Sequence, residues 1–90
     1  PTAARAAVAE RDRWLAVAAS ELPESNRAVE LKRRTGEFMR NTWPSWRSSS
    51  QPPTAVDPLL AALFFAADSG AVMQLGERQW RNIVRKSVPP

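Results

Sequence analysis

The stretch DPLLAALFFAADSG, residues 57–70, decides the fold class. Asp57 is a strong helix N-cap, because its carboxylate accepts a hydrogen bond from an amide that the first turn leaves unpaired. Pro58 follows at the first helical position, where its missing amide does no harm. Leu59 to Ala67 is apolar all round. Such a helix is either the central one of a bundle or half of an oligomer interface. Ser69-Gly70 is its natural stop, with glycine accepting the left-handed conformation. The spacing thus predicts a helix over 57–69.

Upstream lies WPSWRSSSQPPTAV, residues 43–56. Its three prolines and four serines argue against regular structure. Trp43 and Trp46 argue against a floppy tether, so the segment reads as an extended crossover pinned by two rings. Residues 24–42 form the preceding helix. Ala28, Leu31, Thr35, Phe38, Met39 and Thr42 recur there at helical spacing. Gly36 sits inside it and marks a close helix–helix contact or a local bend. Residues 2–22 form the first helix, with Thr2 as a possible N-cap. Val8, Leu15 and Leu22 repeat every seven residues, and Trp14 and Ala18 extend their stripe. Pro23 ends it, since proline lacks the amide a continuing helix needs. The short junction at Pro23 suggests an antiparallel hairpin.

Downstream, Ala71 to Leu75 (AVMQL) reads either as helix or as a short extended link. The last helix covers 77–87, with Trp80, Ile83 and Val84 on its buried stripe, and Val88-Pro89-Pro90 ends it. The expected fold is all-α: one domain of 90 residues, a small bundle of three to four helices, arranged as two helical hairpins joined by a Pro/Ser/Trp crossover.

Composition removes much chemistry. Cysteine and histidine are both absent. Without them there is no disulfide, no thiolate, and neither the commonest general base nor the commonest metal ligand. Carboxylates occur singly, and positions two apart on a helix, such as Glu10 and Asp12, do not face one another. Ser48-Ser49-Ser50 has no obvious base, and no phosphate-binding glycine loop is present. No enzyme activity, metal, cofactor or small-molecule substrate is expected. The longest apolar run is nine residues, Leu59 to Ala67, less than half the roughly twenty that a membrane helix needs. The N-terminal stretch carries Arg5, Glu10, Arg11, Asp12 and Arg13 and lacks a signal peptide's apolar centre. A cytoplasmic location is expected.

The net charge is +4, and eleven of the thirteen cations are Arg. Arginine suits bidentate contacts to phosphate or carboxylate. Codon usage in a GC-rich genome is the favoured account of it, since Ala and Pro are abundant too. More specific is GERQWRNIVRK, residues 76–86. Arg78, Gln79, Arg81, Asn82, Arg85 and Lys86 lie between its buried positions, and no acid follows Glu77. These residue types read base edges and phosphates. An apolar helix, a glycine-containing turn and a polar-basic helix, in that order over residues 58–87, resemble a general helix-turn-helix arrangement. The separation Ser69 to Gly76 departs from the usual three- or four-residue turn. The bland alternative is a solvated basic face, with Arg85 and Lys86 placed to suit the helix dipole.

A second basic cluster, Lys32, Arg33 and Arg34 with Arg40, lies near Glu30 and Glu37, which would partly neutralise it. If both clusters faced the same way they would form one basic stripe. Trp46 and Arg47 are candidates for stacking or for anchoring a partner, and burial would instead make the tryptophans part of the core. Two functions compete. One is a nucleic-acid-binding protein or accessory factor that uses its basic C-terminal helix. The other is a protein-interaction module (inhibitor, adaptor or complex subunit, or a homo-oligomer) that uses its apolar third helix and its Trp residues.

Overall fold

The apolar helix is central. In the computed structural model, which describes residues 2–53 and 57–87, it spans Pro58–Asp68, and Asp57 Oδ1 accepts from the Leu60 amide at 2.9 Å as its N-cap. Leu59, Ala62, Leu63, Phe64, Ala66 and Ala67 are buried, and Leu60, Ala61 and Phe65 are half-buried. No residue between Leu59 and Ala67 is left exposed. Of the two options for a helix without a polar face, the structure takes the bundle centre.

The described residues contain four further helices and no strand. In chain order the elements are α1 Thr2–Ser20, α2 Arg27–Asn41, α3 Trp43–Trp46, α4 Pro58–Asp68 and α5 Glu77–Ser87. The protein is an all-α bundle. The cap expected from the side chain of Thr2, the last residues of the crossover (54–56) and the stop at Val88-Pro89-Pro90 lie outside what is described.

α1 is the hub. Both α4 and α5 pack along it, and they make no close backbone approach to each other. The second expected hairpin is therefore two helices laid on a common neighbour. The core stripe of α1 starts at Arg11 and continues through Leu15, Ala18 and Ala19 to Leu22, just past the helix end. Val8, expected on this stripe, is 41% exposed. Helix length explains the difference. The 19 residues of α1 span about 28 Å, whereas the 11 residues each of α4 and α5 span about 16 Å at 1.5 Å per residue. The N-terminal turns of α1 extend beyond what its neighbours cover.

The α1–α2 junction is longer than the residues around Pro23 suggest. α1 stops at Ser20, and the amides of Glu21 and Leu22 close three-residue turns onto Ala18 and Ala19. Pro23 holds Leu22 out of the helical region. Asn26 then takes a left-handed conformation at φ 55°, which delays α2 to Arg27. The guanidinium of Arg27 reaches back to the Leu22 carbonyl at 2.7 Å. It thereby satisfies an acceptor at the end of α1 that would otherwise lack a partner.

The crossover is more regular than its prolines imply. Trp43–Trp46 forms one helical turn with Pro44 near its start, where proline is tolerated. Both rings are half-buried. Trp43 meets Phe38 at 6.2 Å and Phe64 at 5.5 Å, and Trp46 meets the same two rings at 5.9 and 6.4 Å. Two indoles thus join α2 to α4. Aromatic pairs in this range contribute about 0.5–1.5 kcal/mol each beyond burial. Gly36 marks no helix crossing: α2 runs unbroken past it, and a Cβ there would meet only the Arg40 side chain.

Candidate nucleic-acid interface

α5 owes its start to its own side chain. The Gln79 carbonyl oxygen accepts from the Gly76 amide at 2.9 Å, and the Trp80 amide donates to the Gly76 carbonyl. A glutamine at the third helical position that reaches back to the cap amide is half of a capping box. This commits the acceptor of Gln79, a residue expected to read bases, to holding the helix. Glu77 in the first turn and Arg85 and Lys86 in the last suit the helix dipole at both ends.

The link before α5 is extended. Residues 72–76 have no helical turns, which settles the two readings of AVMQL. Three interactions hold it there. Met73 is buried in the core. Arg11, itself only 5% exposed, donates from Nη1 to the Val72 carbonyl at 2.8 Å and from Nε to Asp12 at 2.9 Å. Trp80 Nε1 donates to the Leu75 carbonyl at 3.1 Å. Carbonyls that no helix pairs are thus met by side-chain donors. This link also removes the helix-turn-helix. That motif needs two helices packed on one another across a three- or four-residue turn, whereas here an extended segment separates α4 from α5 and each docks on α1.

With Trp80 and Ile83 buried and Val84 half-buried, the opposite side of α5 faces solvent. Arg78, Arg81, Asn82 and Arg85 fall at i, i+3, i+4 and i+7 and share that outward face. All four are exposed. Lys86 lies on the flank beside α1, where it borders a groove with Arg5, Asp12 and Arg13. Among the described residues no ion pair involves Arg78, Arg81, Arg85 or Lys86.

The α2 cluster is arranged differently. Arg33 Nη2 meets Glu30 Oε1 at 2.6 Å and Arg33 Nη1 meets Glu37 Oε2 at 3.0 Å, while Arg34 Nε lies 4.0 Å from Glu30. The hydrogen bond from the Arg33 guanidinium holds the Glu30 carboxyl below its ordinary value of 4.5, and Glu30 in turn raises Arg33. Lys32 and Arg40 have no ion pair among the described residues. Lys32, Arg33 and Arg40 border a groove formed with Val72–Leu75 and Trp80, and none of the α5 cations lines it. The two basic clusters do not merge there.

Trp46 is half-buried against Phe38 and Phe64, which gives it a structural task, while Arg47 beside it is exposed. Arg11 and Arg27 escaped sequence reasoning as organising residues. An arginine on a helix reads as surface until the carbonyl it serves is known, and both carbonyls lie at helix ends or in the link. Among the described residues, no three His, Cys, Asp or Glu side chains converge as a metal site, and no helix is long and apolar enough to cross a membrane. No known protein family, curated protein or solved structure matches the chain.

Proposed function

We propose that the protein binds nucleic acid through the outward face of α5. Arg78, Arg81 and Arg85 contact phosphates, and Asn82 is available to a base edge or to the backbone. One observation carries this reading: the face is exposed, cationic and free of carboxylate partners among the described residues. From Arg78 to Arg85 it covers about 10 Å of helix, enough for several successive phosphates. Lys86 extends the positive field on the flank toward α1. A cytoplasmic setting goes with this reading.

The test is binding of a fluorescent DNA duplex across a salt series from low to physiological ionic strength. Phosphate contacts release counterions, so the logarithm of affinity falls by about 0.9 per contact for each decade of salt. Three to four contacts give a slope of about −3. Absence of binding at low salt, or affinity that ignores salt, refutes the reading.

A second reading, docking of a protein partner, draws on α1 rather than on α4. Val8 and Val17 are 41% and 40% exposed along the same broad groove that Lys86 borders. The apolar helix α4 lends it less support, because none of its large hydrophobic residues is among the exposed ones. Native mass measurement distinguishes a monomer from a self-associating chain.

A further inference from the structure

A groove between α2 and the extended link combines apolar surface with cations that lack a carboxylate among the described residues. Its volume is about 770 Å³, within the roughly 300–1,000 Å³ of small-molecule sites. Met39, Met73 and Trp80 form an apolar floor. Val29 and Val72, each 68% exposed, stand at the lips and leave apolar surface uncovered. No Asp or Glu lines it, whereas Lys32 and Arg40 do. Neither cation is matched by a carboxylate among the described residues. Arg40 lies back over Gly36, whose missing Cβ would come within 3.2 Å of Nη1, so the glycine leaves room for the guanidinium at the groove. Thr35 lines the same groove at 1% exposure, and its hydroxyl has no hydrogen-bond partner among the described residues.

Each property selects the ligand. The apolar floor and lips ask for a hydrocarbon body. Arg33 also borders the groove but is already paired with Glu30 and Glu37, so the two cations without a carboxylate, Lys32 and Arg40, ask for an anionic head, and the planar fork of arginine matches a carboxylate in bidentate fashion. An unsatisfied buried hydroxyl costs stability until a polar group meets it.

We propose that this groove binds a small amphiphilic carboxylate, an alkyl chain bearing one carboxyl group, with the head on Lys32 and Arg40 and the chain over Met39, Met73 and Trp80. The site is separate from the outward face of α5, so either proposal stands or falls without the other.

The chain offers a direct reporter. Its only two methionines, Met39 and Met73, both line the groove, so methyl-labelled methionine gives two signals and both report on the site. Titration of the intact protein with decanoate is expected to move both methyl signals to saturation at sub-millimolar concentration. Decyltrimethylammonium, with the same chain and the opposite charge, is expected to bind at least about 10-fold more weakly. The double variant Lys32→Gln/Arg40→Gln replaces two exposed side chains and keeps the helix. It is expected to lose about 10-fold in decanoate affinity with an unchanged circular-dichroism spectrum. Unmoved methyl signals, equal binding of the cationic amphiphile, or full decanoate affinity in a folded double variant each overturn the proposal.

Discussion

Two arginine clusters of similar composition acquire opposite electrical characters. On α2, Arg33 is held between Glu30 and Glu37, one turn before and one turn after it. On α5, Arg78, Arg81 and Arg85 follow a single acid, Glu77, which sits at the helix start. Residues three and four apart on a helix are neighbours. Two glutamates therefore tie Arg33 and Arg34 into an ion-pair ladder and leave only Lys32 and Arg40 of the first cluster without a pair among the described residues, while the arginines of the second all keep their charge for solvent or a ligand. The position of acids, rather than the number of arginines, separates a solvated face from a candidate binding face.

The contrast is broken most sharply by removing charge from each side. Replacing Arg78, Arg81 and Arg85 together by Gln is expected to weaken duplex binding on the order of 10- to 100-fold at low salt and to flatten the salt slope by about 2.7. The charge-balanced pair Arg33→Gln with Glu30→Gln is expected to change affinity by less than about 3-fold, because exposed ion pairs contribute little. Equal losses from both variants would erase the distinction between the clusters. Fluorescence anisotropy across the salt series reads both.

The next effect concerns the arginine that serves neither cluster. Arg11→Met keeps the apolar stem and leaves the Val72 carbonyl without its donor. It is expected to cost about 1–3 kcal/mol in denaturant unfolding, with amide exchange rising first in residues 71–76. Gln79→Ala removes the cap of α5 and is expected to cost about 0.5–1 kcal/mol. Its duplex affinity should stay within about 2-fold of the parent, since the arginine face is untouched. A much larger loss of binding would return Gln79 to the role of base reader.

The smallest effect is a pH dependence. Glu30 titrates below its ordinary value in the folded chain because Arg33 hydrogen-bonds the ionised form. Its contribution to stability is complete above the unfolded value and is lost as pH falls through the lowered folded one. Glu30→Gln is therefore expected to flatten the acid side of the stability–pH curve while leaving its neutral limb nearly parallel. Denaturant midpoints collected from neutral to acidic pH check the sign.

Much of this was legible in local sequence. Asp57-Pro58 announces a helix start, Leu59 to Ala67 a buried helix, and Trp80 with Ile83 and Val84 the inner side of α5. In each case the decisive partners lie within one or two turns. The outward arginine face of α5 follows from the same periodicity. The illegible parts share one property: a partner distant in sequence. Arg11 and Val72 stand 61 positions apart, and no spacing rule joins them. Without that contact, AVMQL reads equally as helix or link, and α4 with α5 resembles a helix-turn-helix. The burial of Trp46 depends in the same way on Phe64.

The sequence by itself determined that this chain is helical, where its central helix begins, and which side of its last helix is cationic, because capping, periodicity and ion pairing act over three or four residues. Only the tertiary structure decided that α1 is the hub, that the segment before α5 is extended, and that Met39, Met73, Lys32 and Arg40 border one groove. Those outcomes depend on which buried carbonyls find donors and which apolar faces find cover, and both are settled between residues that only folding brings together.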